Sequence, residues 1–278
     1  MGYIDLHVHS TASDGSLSPA ELVEYACDKG LVAFALTDHD TVAGIPSAMS
    51  AARDYPIHVI PGVEITSKMG NLDLHILGYN VDYEDPNFQW ALRVIRSFRE
   101  ERNLKICSQL HAYDINVDYE ALKKESFCHM ITRQHFAAYL IKNGYVNSKA
   151  EAFDKYLAAG RPCFVPLESI SASDAILVIR NAGGLAVLAH PKQYGLDWDN
   201  YLKLFTVLKG MGLSGIEAMY STHSYEDEAM YKSLADELGL FITGGSDYHG
   251  ELKPDIDLGT GKGNLMIPQS LLKNLYNI

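Results

Sequence analysis

Residues 3–9 read YIDLHVH, a short apolar strand that ends in two histidines. Successive side chains of a strand point to opposite faces of a sheet, so His7 and His9, two residues apart, point to the same face. Two imidazoles on one face at a strand end can reach the same metal ion. This stretch therefore predicts the first strand of a sheet and the first part of a metal site.

Strands and helices alternate along much of the remaining chain. Apolar, β-rich runs predict further strands over residues 32–36, 58–60, 73–79, 185–189, 215–218 and 240–243. Helical patterns lie over 45–54, 174–181, 198–209 and 225–238, and SPAE at 18–21 begins another helix with a capping box. Such alternation indicates a parallel sheet, and about seven units favour a (β/α) barrel over an open sheet.

The middle of the chain shows a different pattern. Residues 83–166 carry almost no strand signal, and their periodicity predicts helices over 88–110, 119–125, 132–143 and 150–158. We expect this segment to form a small helical insertion domain that caps the substrate. The barrel is then expected to comprise residues 1–82 and 167–278.

Composition excludes several classes of protein. The 278 residues include 23 basic and 35 acidic side chains, a net charge of −12, and 47% are hydrophobic, as in a folded chain with one large domain. The four cysteines form no Cys-x-x-Cys pair, which disfavours a disulfide scaffold and indicates the reducing cytoplasm. We expect neither a secretory leader nor a membrane span, and the acidic balance disfavours broad nucleic-acid binding.

Histidines and carboxylates recur at or just beyond the predicted strand ends. In a (β/α) barrel these ends meet at one mouth, where active sites are built. The nine candidate metal ligands are His7, His9, Asp14, His39, Glu64, His75, His190, Asp247 and His249. His58, His111 and His129 lack this placement and are expected to be structural.

The ligand types indicate the metals and their chemistry. Imidazole and carboxylate without thiolate suit zinc, manganese or iron. Nine ligands are too many for one ion, so we expect two or three divalent ions, Mn²⁺, Zn²⁺ or Fe²⁺, per chain. Two ions about 3.5–4 Å apart can share a hydroxide and hold the attacking and leaving oxygens of a displacement at phosphorus. The divalent ions would make the pocket around them positively charged. The pocket would therefore attract an anionic phosphate, although the protein as a whole is acidic.

Five motifs together resemble those of the PHP (polymerase and histidinol phosphatase) family. In order, they are DLHVH at 5–9, TDHD at 37–40, GVE at 62–64, AHP at 189–191 and GSDYH at 245–249. The chain is most similar to the small stand-alone phosphoesterases with a helical insert, which act on nucleotides such as nucleoside 3′,5′-bisphosphates. The resemblance implies an α/β fold, a distorted, TIM-like (β/α)7 barrel with a trinuclear metal site.

The resemblance also implies how the ligands are shared. One ion would take His7, His9, Glu64 and Asp247, a second would take Asp14, His39 and His249, and a third would take His75 and His190 with Glu64 bridging. Asp14 stands where several family members have histidine, so the second site has a harder ligand set, with a carboxylate oxygen in place of an imidazole nitrogen. Asp5 and Asp38 are expected to orient imidazoles rather than to bind metal.

Three further segments resemble substrate-binding parts of the family. Arg133 and His135, in ITRQH at 131–135, resemble an Arg-Pro-His that holds a phosphate away from the metals, a role that suits a guanidinium fork. The alternative for Arg133 is an exposed arginine at a helix start. His223, in YSTHS at 220–224, would contact the phosphate or protonate the leaving oxygen. Arg161, in a surface loop, is a weaker phosphate-binding candidate.

We therefore predict a hydrolase that breaks phosphate esters of nucleotides or similar small molecules by a metal-bridging hydroxide, with Asp247, His249 and His223 as catalytic residues. Its expected partner is a small phosphorylated substrate, a nucleotide or sugar phosphate, without a stable nucleic-acid complex. The alternatives are a cyclic phosphodiesterase acting on a sugar or nucleotide, a 5′-to-3′ exonuclease on short RNA, and a non-catalytic metal-binding module. An amidohydrolase is disfavoured because no bridging lysine follows a strand.

Overall fold

The computed structural model describes residues 2–125 and 130–276. Its strands are β1 (Tyr3–Val8), β2 (Leu31–Leu36), β3 (His58–Met69), β4 (Leu72–Tyr79), β5 (Ile170–Ser171), β6 (Leu185–Leu188), β7 (Gly215–Tyr220) and β8 (Phe241–Gly245). Its α-helices are α1 (Pro19–Asp28), α2 (Ile45–Ala51), α3 (Pro86–His111), α4 (Tyr119–Glu125), α5 (Arg133–Lys142), α6 (Lys149–Ala152), α7 (Ala172–Asn181), α8 (Trp198–Met211), α9 (Tyr225–Leu238) and α10 (Lys273–Tyr276).

Seven of these strands curl into a barrel. They lie in the order β1-β2-β3-β4-β6-β7-β8, and β5 pairs with β3 outside this path. Backbone hydrogen bonds join the two ends of the sheet, since Asp247 N donates to His7 O at 2.9 Å and His9 N donates to Tyr248 O at 3.0 Å. The predicted TIM-like barrel of seven strands is confirmed.

One strand contradicts the prediction of a parallel sheet. β4 runs antiparallel to both of its neighbours, β3 and β6. Only residues 70–71 separate β3 from β4, and a link this short allows a hairpin but no parallel crossover. β3 also extends to Met69, well past the predicted end at residue 60. Because β4 runs in reverse, its beginning lies at the end of the barrel where the other strands finish.

Several element boundaries also differ from the sequence prediction. The helix predicted over 45–54 ends as α2 at Ala51 and continues as a 3₁₀ turn, Ala52–Asp54. The helix predicted over 150–158 is split into α6 and a π-helical turn, Phe153–Leu157. The short β5 and α10 were not predicted, because elements of two to four residues have too little pattern to detect.

Apolar side chains fill the barrel and leave its mouth to polar groups. An outer layer packs between the sheet and helices such as α1, α7, α8 and α9, with Phe34 and Phe205 fully buried in it. The inner layer includes three residues from the C-terminal segment and consists of Ile4, Leu6, Ala33, Ala35, Ile60, Leu77, Tyr79, Val187, Ala189, Leu265, Ile267 and Leu275. The buried polar side chains must therefore gather at the other end of the barrel.

The insert has an apolar cluster of its own. This cluster joins the second half of α3, at Ile106 and Leu110, to Phe136 and Leu140 of α5. The first half of α3 packs instead into the outer layer of the barrel. The long helix thus belongs to both parts, and the domain boundaries at residues 83 and 166 stay a prediction.

Other sequence predictions concern cysteines and the membrane. Cys27, Cys107 and Cys163 are free thiols, of which Cys163 is buried and the other two are half-buried. Cys128 lies outside the described residues. Among the described helices, none combines the length and the apolar character needed to cross a membrane.

Closure of the barrel depends on close approach at one glycine. A methyl group on Gly245 of β8 would meet the backbone nitrogen of His7 on β1 at 2.6 Å. We expect Gly245→Ala to lower the free energy of unfolding by about 1–3 kcal/mol, because the strands must move apart. Urea denaturation measures this change.

The matched control is Gly210→Ala within α8, where an added methyl group meets open space. This change should raise the free energy of unfolding by about 0.5–1 kcal/mol, because alanine favours helix. Equal stabilities of the two variants would contradict the close packing of β8 on β1.

Candidate metal centre and substrate cavity

Five histidine rings surround one buried carboxylate, that of Glu64 on β3. Three ring nitrogens lie 2.9–3.3 Å from its Oε2, and two others lie 2.8–2.9 Å from its Oε1. The rings belong to His7, His9, His39, His75 and His190. The antiparallel course of β4 explains the position of His75, which lies near the beginning of its strand rather than at its end.

Two further carboxylates complete the cluster. Asp247 Oδ1 lies 3.5 Å from His7 Nε2, 3.3 Å from His9 Nε2 and 3.4 Å from His249 Nδ1. Asp14 Oδ1 lies 3.4 Å from His249 Nε2. All nine predicted ligand residues therefore meet at the barrel mouth.

Three subsets of these residues bring ligand atoms within 4.8 Å of one another. They are His7, His9, Glu64 and Asp247; His9, Asp14, His39 and His249; and His39, Glu64 and His75. The first subset equals the set predicted for the first ion. The second subset contains the three residues predicted for the second ion and, in addition, His9. The third has His39 where we predicted His190, although His190 Nε2 lies 2.9 Å from the shared Glu64. The predicted sharing of ligands thus stays a prediction.

The cluster holds its backbone in strained conformations. Asp40, His190 and Asp247 have positive φ angles of 52°, 27° and 60°, a region that side chains other than glycine rarely adopt. Such strain persists only where the surrounding structure enforces it, and it concentrates at functional sites. The strain therefore marks this mouth as a site of function.

The cluster fits divalent metal ions. Buried polar atoms normally find a partner, because their desolvation is costly. Six ligand-type atoms of the cluster are buried without a hydrogen-bond partner in the described chain: His7 Nε2, His9 Nε2, Asp14 Oδ1, His39 Nδ1, Glu64 Oε2 and His190 Nδ1. Coordination would satisfy these atoms, and their nitrogen and oxygen chemistry suits zinc, manganese or iron.

Electrostatics keeps the carboxylates ionised. Burial alone would raise the pKa of Glu64, but the charges of His39 and His75 hold it well below its usual value. Burial alone would lower the pKa of His9, yet the adjacent carboxylates of Asp247 and Glu64 raise it to about 9. Anionic oxygens in this desolvated mouth require positive charge nearby, which is the condition for binding cations.

Glu217 on β7 orients the ring of His7 and holds the backbone of His190, and we did not predict it. Its Oε1 accepts a hydrogen bond from His7 Nδ1 at 3.0 Å, and its Oε2 accepts one from His190 N at 2.8 Å. A carboxylate behind an imidazole fixes the ring and raises its basicity. The only signal in the sequence is an acidic residue inside an otherwise apolar strand, GIEAMY.

The expected role of Asp5 and Asp38 requires correction. Asp5 accepts hydrogen bonds from backbone amides, including those of His7 and Ser246. Asp38 accepts from Ser10 Oγ at 2.7 Å and Ser13 Oγ at 2.5 Å. Both carboxylates hold the loops that carry the ligands, so they position imidazoles only indirectly.

A cavity of ≈ 360 Å³ extends from the cluster to the insert. Asp14, His39, His75 and His249 form part of its wall on the barrel side. The insert and Lys253 contribute cations to the wall of the same cavity. The cations from the insert are Arg99, Arg102, Arg133 and Lys149. Lys253 Nζ also lies 2.5 Å from Asp247 Oδ2. The cavity thus joins candidate metal ligands to a basic wall, which suits an anionic ligand.

The predicted substrate-binding residues of the insert lie in different places. Arg133 lines the cavity, with its guanidinium 5.3 Å from the ring of Phe164. His135 Nδ1 accepts a hydrogen bond from Thr132 N at 3.0 Å and caps α5. Arg161 pairs with Asp154 on the exposed surface of the insert and is absent from the cavity wall that the structure describes. Phosphate binding by Arg133 and His135 stays a prediction, and Arg161 gains no support.

His223 is buried beside the cluster. Its Nδ1 donates a hydrogen bond to Ala218 O at 2.8 Å, and burial lowers the pKa of the ring. A neutral ring with a proton on Nδ1 presents a lone pair at Nε2, which is the opposite of what a proton donor needs. The predicted role of His223 as an acid is therefore not favoured by this geometry.

The three histidines expected to be structural lie elsewhere. His58 is exposed, with its ring 6.0 Å from that of Tyr276. His111 makes a hydrogen bond with Asn116 on the surface of the insert. His129 lies outside the described residues.

The match to known proteins agrees with the cluster. The sequence model of the PHP domain family matches residues 5–160, which contain six of the nine candidate ligands. The chain belongs to the PHP domain family. This membership confirms the resemblance to the PHP family.

Three relatives of this PHP chain show what it is similar to. A 5′-3′ exoribonuclease of Haemophilus influenzae is 38% identical over 88% of this chain and 89% of its own length. A 3′,5′-nucleoside bisphosphate phosphatase of Chromobacterium violaceum is 35% identical over 93% and 91%. A solved structure from Bifidobacterium adolescentis, assigned as a metal-dependent phosphoesterase, superposes with a TM-score of 0.86 at 26% identity and covers 99% of this chain and 96% of its own. The predicted class, a hydrolase of phosphoric ester bonds, is confirmed.

The central position of Glu64 leads to a test of metal content. Glu64→Gln removes the charge that contacts five imidazoles, so we expect at least one ion per chain to be lost. Mass spectrometry of the metals in the purified variant, relative to wild type, measures this loss.

The matched control is Glu228→Gln on α9, where Glu228 pairs with Lys232 at the surface. This variant should keep the metal content of the wild type. Full metal content in Glu64→Gln would remove Glu64 from the proposed ligands.

Proposed function

We propose that this PHP chain is a metal-dependent phosphoesterase that removes phosphate from nucleotides or similar small molecules, such as a nucleoside 3′,5′-bisphosphate or monophosphate. The observation that carries the proposal is the meeting of nine imidazole and carboxylate residues around Glu64, at the end of a cavity with a basic wall. The relative named as a bisphosphate phosphatase supports the nucleotide as substrate.

The proposed ligand sets are those that the family resemblance implies, and each shares residues with one of the three subsets of the cluster. His7, His9, Glu64 and Asp247 would hold one ion. The second set is Asp14, His39 and His249, and the third is His75 and His190 with Glu64 shared. Divalent ions at such a site polarise phosphoryl oxygen and lower the pKa of water. We propose manganese, zinc or iron, because the donor set contains imidazole and carboxylate.

The residues around the ligands hold them in position or attract the substrate. Tyr220 OH donates a hydrogen bond to Asp247 Oδ2 at 2.7 Å, and Glu217 holds the ring of His7 and the backbone amide of His190. Ligands fixed in this way need no rearrangement when charge develops on the phosphoryl group. Lys253, which lines the cavity beside Asp247, adds a cation that attracts the anionic substrate.

The size of the cavity favours small substrates. At ≈ 360 Å³ it lies at the lower end of the range that holds small molecules. Arg133, on the wall formed by the insert, would bind a phosphate that does not react. We therefore place the reacting phosphate at the cluster and the rest of the nucleotide against the insert.

The free thiols Cys27, Cys107 and Cys163 agree with the proposed cytoplasmic location.

Phosphate release tests this function. After removal of metals by a chelator and reloading with Mn²⁺, Zn²⁺ or Fe²⁺, the chain should release inorganic phosphate from at least one of a nucleoside 3′,5′-bisphosphate, a 3′-monophosphate and a 5′-monophosphate. Asp247→Asn should lower kcat/KM by about a hundredfold or more, because it removes a ligand charge.

The chelated protein before reloading is the internal control and should be inactive. No phosphate release with any of the three metals would overturn the proposed function. Turnover of a cyclic sugar phosphate alone would favour the cyclic phosphodiesterase alternative instead.

A second candidate is a 5′-to-3′ exoribonuclease on short RNA. The 38% identity to the relative with this name favours it, as does the row of cations that the insert adds to the cavity. The net charge of −12 argues against broad binding to long RNA.

RNA of two to five nucleotides with a 5′-phosphate distinguishes the two candidates. An exoribonuclease should release mononucleotides from the 5′ end, at a rate that falls steeply between 50 and 200 mM salt because phosphate contacts release counterions. A phosphatase should release inorganic phosphate and leave the RNA chain intact. Chromatography of the products separates these outcomes.

A further inference from the structure

Lys253 connects a candidate metal ligand to the substrate cavity. Its Nζ lies 2.5 Å from Asp247 Oδ2, and the residue is part of the cavity wall. The other oxygen of this carboxylate, Oδ1, lies 3.3–3.5 Å from ring nitrogens of His7, His9 and His249. The ammonium group thus holds one oxygen of Asp247 and leaves the other to the cluster.

The ammonium group has N–H donors to spare. A lysine side chain carries three N–H donors and no acceptor. In the described chain, Asp247 Oδ2 is the one acceptor that Nζ contacts, which leaves two donors. Because the side chain of Lys253 is 35% exposed and belongs to the cavity wall, a ligand in the cavity can accept hydrogen bonds from these donors.

Two other polar groups near Asp247 have no such donor. Tyr220 gives its single hydroxyl proton to Asp247 Oδ2, and its oxygen accepts a hydrogen bond from Gln193 Nε2 at 2.9 Å. The Nδ1 proton of His223 is donated to Ala218 O. Hydrolysis of a phosphate ester leaves negative charge on the oxygen that departs from phosphorus, and a donor or cation beside that oxygen speeds the reaction.

The arginines of the cavity wall make their contacts outside the cluster. Arg99 pairs with Asp40, and Arg133 donates to the carbonyl of Leu157. Lys253 differs from them because it contacts a candidate metal ligand. This contact places its charge at the end of the cavity where the reacting phosphate is proposed to bind.

We propose that Lys253 is a catalytic residue that donates a hydrogen bond to the leaving oxygen of the phosphate ester. This inference rests on the proposed phosphoesterase function and adds a residue to it. In the reaction, the oxygen of a water molecule bonds to phosphorus, the bond from phosphorus to the ester oxygen breaks, and its electron pair stays on that oxygen. The ammonium group stabilises this charge. Of the two protons of the water, one ends on the alcohol and one on the phosphate, so Lys253 keeps its own.

Two aryl phosphates test this role. Phenyl phosphate has a strongly basic leaving oxygen and p-nitrophenyl phosphate a weakly basic one, so a hydrogen bond to this oxygen matters more for the first. With the metal-loaded enzyme, Lys253→Gln should lower kcat for phenyl phosphate by about a hundredfold, as expected when one donor to a developing oxyanion is lost. Its kcat for p-nitrophenyl phosphate should fall much less, and KM for both should change little.

Two further variants serve as controls. Lys253→Arg, which keeps the positive charge, should recover part of the lost kcat. Lys262→Gln removes an exposed lysine that the described cavity wall does not include, and it should match wild type on both substrates. Equal losses of kcat on the two aryl phosphates in Lys253→Gln would overturn the inference. A change confined to KM would overturn it too, because Lys253 would then only attract the substrate.

Metal content distinguishes catalysis from a merely structural role. Tyr220 still holds Asp247 Oδ2 when Lys253 is replaced, so Lys253→Gln should keep the metal content of the wild type, as measured by mass spectrometry. Loss of metal would mean that Lys253 acts by positioning Asp247, and it would overturn the catalytic role.

Binding of orthovanadate separates this inference from the proposed function. Five-coordinate vanadate resembles the transition state and carries an oxygen at the leaving position, which inorganic phosphate lacks. In calorimetric titrations of the metal-loaded protein, Lys253→Gln should bind vanadate at least about tenfold more weakly than wild type, with a much smaller change for phosphate. This expectation holds even if the wild type hydrolyses no ester, a result that would overturn the proposed function alone. Equal weakening for both anions would contradict the placement of Lys253 at the leaving oxygen.

Discussion

The contact of five imidazoles with the Glu64 carboxylate is the constraint on which the rest of the structure depends. Charged and polar groups can leave water only if partners replace the lost hydration. Here the rings and the carboxylate compensate each other in part, and the unpartnered atoms of the cluster suit coordination of divalent ions. The apolar inner layer of the barrel packs below this arrangement, and charges in such surroundings interact more strongly than they do in water.

The antiparallel hairpin of β3 and β4 has a direct consequence for the site. A parallel strand would end at the mouth, whereas β4 begins there and carries His75 toward Glu64. The register of the hairpin pairs Thr66 with His75. One irregularity of the barrel thus adds a ring to the shared carboxylate, and Glu217 on β7 holds the opposite side of the cluster.

The barrel and the insert contribute different residues to the site. The barrel brings together the side chains that suit metal and the reacting phosphate, and the insert adds arginines to the wall of the cavity. α3 connects the two, since its first half packs on the barrel and its second half on the apolar cluster of the insert. Changes in the insert can therefore alter which substrate binds while the chemistry at the mouth stays the same.

The sequence alone determined the barrel, the helical character of the insert and all nine residues of the cluster, because strand ends of a barrel converge and each motif is local. Only the tertiary structure decided the direction of β4 and the role of Glu217. A carboxylate in an apolar strand has no distinctive local pattern. What distinguishes Glu217 is a partner far away in the sequence, and that partner is known only once the chain has folded.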